Sequence, residues 1–126
     1  MIRWFNELWN ENNENTIDEI LHHEVEAHGL GGAPLIGTEA FREFYKAFIA
    51  TYTDIKVTIE KMVEEGDSVV VMCKVEGVHK ATHNKISFSG ISVSQFAGDK
   101  VVKGWNYFDF LGLNLQIGKI SAEQLL

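Results

Sequence analysis

Hydrophobic positions recur with a helical period in the first part of the chain and alternate through nearly all of the rest. Over residues 2–13, Ile2, Phe5, Leu8, Trp9 and Asn12 keep helical spacing and only the last is polar, so an amphipathic opening helix is expected. The polar stretch 11–15 interrupts it. Thr16-Ile17-Asp18-Glu19 then matches a capping box and opens a short helix reaching Leu21. Residues 24–28 alternate and read as a short strand, and Gly29, Gly31, Gly32 and Pro34 make a flexible loop after it. The clearest helix follows Gly37. Thr38 can cap it, and Phe41, Phe44, Tyr45, Phe48, Ile49 and Tyr52 return at i, i+3, i+4, i+7, i+8 and i+11. An aromatic face that broad must pack on something large, and a curved sheet is the natural partner.

Beyond Asp54 the pattern is strand-like. Ile55, Val57 and Ile59 alternate, and Glu65-Gly66-Asp67 is a hairpin turn. In the next strand, 68–79, one face carries Val69, Val71, Cys73, Val75, Gly77 and His79, while Val70, Met72 and Val78 make the other face partly apolar. A strand apolar on both sides is covered on both sides, by helices on one and by a second subunit on the other. Residues 80–85 turn, 86–96 form another strand, and Gly98-Asp99 turns into a last strand beginning at Lys100. In this strand Trp105, Tyr107 and Asp109 alternate on one face and Asn106, Phe108 and Phe110 on the other. An Asp is a poor strand former and costly to bury unpaired. Either Asp109 has a fixed partner or a pocket that shifts its pKa, or the strand ends near Phe108 and Asp109 sits in the following turn. The element order, helices first and long strands grouped at the end, defines an α+β fold with helices on one face of a strongly bent sheet, in one domain over residues 1–126.

Composition narrows the function. The 126 residues carry 18 acidic and 11 basic side chains for a net charge of −7, with no basic cluster to neutralise phosphates or an anionic membrane surface. No apolar run approaches the roughly 20 residues that span a bilayer. The first residues lack the apolar core of a secretory signal, and the single Cys73 cannot form an internal disulfide; a cytoplasmic setting is expected. No HExxH is present, and His79 and His83 straddle a strand end rather than a helix face, so no metal is expected. No phosphate-binding glycine loop, nucleophile elbow or reactive-cysteine setting appears.

Five stretches resemble the SnoaL-like polyketide cyclases of the nuclear transport factor 2-like superfamily. They are the opening helix with Trp9-Asn10; Ile36-Gly37-Thr38-Glu39 leading into the aromatic helix; Glu65-Gly66-Asp67-Ser68-Val69; Gly77-Val78-His79; and Gly98-Asp99-Lys100-Val101 through Trp105-Asn106-Tyr107-Phe108-Asp109 to Leu111-Gly112-Leu113 and Gln116-Ile117-Gly118. The resemblance implies a cone-shaped, curved mixed β-sheet packed around helices, enclosing a pocket, and a homodimer through the open sheet face. It also implies a cofactor-free aldol cyclisation with an Asp on the last strand as acid/base, here Asp109, helped by a His, here His79. Two departures bear on the substrate. The Thr of the family's Gly-Thr-His is Val78, and 80–85 lacks the family's Pro-Thr-Gly-Lys run.

On this reading Asp109, in an aromatic pocket, has a raised pKa and takes a proton next to a carbonyl, while His79, Tyr107 or Tyr45 donates to the enolate oxygen. Trp105, Tyr107, His28, Tyr45 and Tyr52 are the expected ligand contacts, and the ligand is a small apolar or aromatic molecule. A water-activating, epoxide-hydrolase-like role for Asp109 uses the same parts. The rival is a non-catalytic ligand-binding or protein-interaction module on the same fold.

Overall fold

The computed structural model describes residues 1–125. An opening π-helix, Trp4–Asn10, leads into α1 (Asn15–Ile20) and β1 (Leu21–His28). A two-residue strand β2 (Leu35–Ile36), the long helix α2 (Thr38–Thr51) and four long strands follow: β3 (Tyr52–Glu65), β4 (Ser68–His79), β5 (Lys85–Ala97) and β6 (Lys100–Phe108). Helix α3 (Phe110–Gln116) and a 3-10 turn (Ala122–Leu125) come last. The strands form one six-stranded sheet in the order β2-β1-β6-β5-β4-β3, open at both edges. Every pairing is antiparallel except β1 with β6, so the sheet is mixed. The class is α+β, as the element order requires.

Register shifts bend this sheet. Two occur in β3 against β4, one in β1 between Leu21 and Glu26, and one in β6, where Gln95 faces Lys103 but Phe96 faces Val101. Each shift adds local twist and re-aims the side chains beyond it. The β6 shift leaves Val102 unopposed and puts both Val101 and Gly104 on the inner face. Along β4 the alternation holds as the sequence implies: Val71, Cys73 and Val75 are buried inward, while Met72 is exposed outward.

The helices cover the inner face. Phe41 and Tyr45 of α2 are buried, and Leu8 of the opening helix and Ile17 of α1 are fully so. Arg42 ties α2 to α1 through two 2.7 Å bonds to the Asp18 carboxylate, with Glu14 and Glu39 also within ion-pair distance. Three local expectations change. The capping box does not form: α1 begins before Thr16, no side chain caps it, and the Thr16 hydroxyl is buried without a partner because the residue serves the core. Gly37, at φ 87°, rather than Thr38, precedes α2. Tyr52 ends the aromatic spacing but is already the first residue of β3.

Cys73 sits at the centre of the inner face, where burial first and Glu60 second push its thiol up to about 11. Because the folded state holds this proton more tightly than the unfolded chain, the stability it contributes is complete below the ordinary thiol value of 9.0 and is lost as pH rises through about 11. Urea unfolding at stepped alkaline pH is expected to show that loss, and Cys73→Ala to flatten its slope in this window. Tyr45 and Tyr52, both raised by burial, add their own loss above their ordinary 10.0 in either protein.

Candidate functional site

A cavity lies between the helices and the inner face of the sheet. Its internal volume is about 100 Å³, and its mouth is open to solvent. Its roof is aromatic: Trp4, Phe5 and Trp9 from the opening helix, Phe41, Phe44 and Phe48 from α2. Trp9 meets Phe48 edge-on at 5.5 Å, and Trp4 lies 5.1 Å from Phe41, so the roof is a connected layer of rings. Its floor is made of small residues brought side by side by strand register. Ala27 of β1 faces Gly104 of β6, which faces Ser94 of β5; one step along, Asn106 faces Ser92. Large rings above and short side chains below leave the space.

The aromatic end of the floor depends on Gly90. It faces Phe108 across β5 and β6, and a Cβ there would meet the Phe108 ring at 2.2 Å. Without that Cβ, Phe108 lies against Phe88 and Phe110, with ring centres about 6 Å apart, and all three line the cavity.

The polar part of the lining is Ser92, Ser94 and Asn106. Among the described residues, no Asp, Glu, His, Lys or Arg side chain lines it. Met1 does line it, and partial burial, opposed by Glu64, lowers the pKa of its α-amino group. The Asn106 amide donates to the His28 carbonyl at 2.9 Å. This contact needs Gly29, whose φ is 83° and whose added Cβ would lie 1.9 Å from the Asn106 carbonyl oxygen. Ser92 is only 7% exposed, and its hydroxyl has no hydrogen-bond partner. An unsatisfied buried hydroxyl costs about 1–3 kcal/mol, so its presence in an otherwise apolar chamber asks for an explanation.

None of the seven residues singled out from the sequence lines this cavity. Strand β6 stops at Phe108, and Asp109 is the N-cap of α3: its carboxylate accepts from the Gly112 amide at 2.8 Å and is exposed. Gly112 leaves room for it, since a Cβ there would come within 2.3 Å of the carboxylate. The turn alternative for Asp109 is therefore the one the fold adopts. The structure gives it no aromatic pocket, because a helix N-terminus offers free amides that a carboxylate satisfies. Trp105 and Tyr107 point to the outer face, Tyr107 being 67% exposed; the inner face of β6 takes Asn106 and Phe108 instead.

The remaining four residues are dispersed. His28 is on the outer face, its Nε2 2.7 Å from Glu26 and its ring stacked 6.2 Å from Trp105. His79, at the end of β4, pairs its Nδ1 with the Thr82 hydroxyl at 2.8 Å and tilts over Tyr52, which holds the turn to β5. Tyr45 points its hydroxyl back to the opening helix, donating to the Leu8 carbonyl at 3.3 Å and meeting Asn12. Tyr52 is buried between Phe48 and His79. The residues that sequence reasoning missed are Ser92, Ser94 and Asn106. Their signal was a polar pair on otherwise apolar alternation, readable only once β5 and β6 are set in register. Metal-donor atoms come close together among the described residues at His22, His23 and Glu24, exposed or half-exposed neighbours at the β1 register shift and outside the cavity.

Asp109→Ala is accordingly expected to cost about 1 kcal/mol of stability through the lost cap, read by urea unfolding. Ligand affinity of the cavity should change less than about twofold, since the carboxylate does not reach it.

The site is a ring-lined chamber, open at its mouth, under a bent mixed sheet, the arrangement of the ketosteroid isomerase-like fold. The sequence matches the SnoaL-like polyketide cyclase family over residues 1–117, and the chain belongs to that family. No curated protein matches it. Among solved structures, TsrD from Streptomyces laurentii superposes with a TM-score of 0.83 at 23% identity, covering 94% of this chain and 92% of that one. IdmH from Streptomyces antibioticus superposes at 0.81 and 20% identity, covering 93% and 95%. A protein with a ketosteroid isomerase-like fold from Catenulispora acidiphila, solved in complex with trimethylamine, superposes at 0.82 and 19% identity, covering 93% and 90%. At these identities the likeness concerns the fold. No helix among the described residues is long and apolar enough to cross a membrane.

Proposed function

We propose that this protein binds a small apolar or aromatic molecule in the chamber beneath its helices and does so as a ligand-binding module, without acid/base catalysis by Asp109. The observation that carries this reading is the lining. It is built from rings and aliphatic groups, with three neutral polar side chains and no ionisable side chain among the described residues. Proton transfer next to a carbonyl needs a base within hydrogen-bond reach of the carbon. Asp109 is engaged outside, at the start of α3, and His79 is held at the far turn. Membership of a cyclase family supports a ring-bearing ligand and leaves the reaction to the site. The test is equilibrium binding of naphthalene, followed by its own fluorescence as protein is added. Saturable binding supports the reading. Absence of binding by the folded protein, or turnover of a carbonyl substrate abolished by Asp109→Asn, overturns it.

A second copy of the chain is the proposed partner for the outer sheet face. Val63, Val70, Val93 and Trp105 form one row across β3, β4, β5 and β6, and Met72, Ile91 and Tyr107 form the next, with Lys61 at its β3 end. Apolar patches this continuous are uncommon on monomers. A face that is the same on every copy can pair with itself about a twofold axis.

A further inference from the structure

We infer that the Ser92 hydroxyl is the hydrogen-bonding contact for a single polar group on the bound molecule. The ligand is then a neutral ring compound bearing a hydroxyl or carbonyl at the end that meets Ser92. The inference rests on the ligand-binding reading of the chamber and goes beyond it by assigning an orientation and a chemical class.

Three observations converge. Ser92 lines the chamber and is more than nine-tenths buried, and its Oγ, covered in the free protein and without a partner there, meets a ligand by turning about its one torsion. It faces Asn106 across β5 and β6, and the Asn106 amide is held by the His28 carbonyl, so this neighbour is fixed in place. Ser94, two residues along the same strand face, also lines the chamber and is buried. The polar groups thus form one spot on the floor, while every ring is above or beside it. A serine hydroxyl both donates and accepts and turns about one torsion, so it can meet either a phenol or a ketone. No ionisable side chain among the described lining residues pairs a carboxylate or an ammonium, burial disfavours the charged form of the Met1 α-amino group, and burying an unpaired charge is strongly unfavourable. The row of Ala27, Gly104 and Ser94 keeps the floor beside the spot low, which is where the rest of a flat molecule would lie.

The experiment compares naphthalene with 2-naphthol on wild type, Ser92→Ala and Ser92→Thr, by ligand fluorescence. Ser92→Ala is expected to weaken 2-naphthol about five- to tenfold while naphthalene changes less than about twofold, and Ser92→Thr, which keeps the hydroxyl, to restore the preference. Thermal unfolding should show Ser92→Ala as stable as wild type or more so, because the hydroxyl it removes has no partner in the free protein. If both compounds bind and Ser92→Ala weakens them equally or not at all, the assignment of Ser92 is wrong and the chamber reading stands. A large loss of stability in Ser92→Ala would show a structural hydroxyl and also overturn the assignment. If folded wild type binds neither compound, the chamber reading fails and takes this inference with it.

Discussion

Ala27→Leu is expected to lower the affinity for naphthalene by at least about tenfold, with thermal unfolding at or above the wild-type temperature. Ala27 lines the chamber and is buried, and its sheet neighbour on β6 is Gly104. Three added carbons would enter space that is now empty rather than space held by another side chain. Each buried methylene contributes about 0.8 kcal/mol, which offsets the usual penalty of enlarging a packed site. Loss of binding together with retained stability distinguishes a filled cavity from a damaged core. A folded Ala27→Leu protein that binds naphthalene as wild type does would place the ligand elsewhere and end the chamber reading.

Tyr107→Asp is expected to convert a dimer to a monomer, weakening self-association by about a hundredfold or more, as read by sedimentation equilibrium. Tyr107 is the most exposed aromatic of the outer face and sits beside Ile91. In a twofold pair the substitution enters both copies, so two carboxylates are brought into the apolar patch of Met72, Ile91 and Val93. The monomer should keep its fold, since Tyr107 contributes nothing to the inner core, and should still bind naphthalene. A wild type that sediments as a monomer at micromolar concentration would overturn the proposed pairing. A dimer indifferent to Tyr107→Asp would place its interface elsewhere.

The sequence by itself determined the class of fold. Helical spacing of Phe41, Phe44, Tyr45 and Phe48, alternation through β4 and β5, and turns at Gly66 and Gly98 are local signals, and each element sits where its signal places it. Its family motifs were equally legible, and the family match extends over the stretches that carried them. The end of β6 was harder to read. Alternation ran through Asp109 without a break, yet the free amides at the start of α3 made Asp109 a cap, and Gly112 made room for it.

What only the tertiary structure decided is which face of β6 turns inward and what stands beside it. Period-two alternation separates two faces but does not say which one the helices cover. In β6 both faces carry aromatics, so burial alone gave no preference between Trp105 with Tyr107 and Asn106 with Phe108. The choice came from contacts distant in sequence. Gly90 admits the Phe108 ring, the His28 carbonyl takes the Asn106 amide, and the unopposed Val102 resets the register so that Gly104 lies inward beside Ala27. These three contacts join β1, β5 and β6, and no window of the sequence contains them together. They put Ser92, Ser94 and Asn106 on the chamber floor and leave Trp105, Tyr107 and Asp109 outside it.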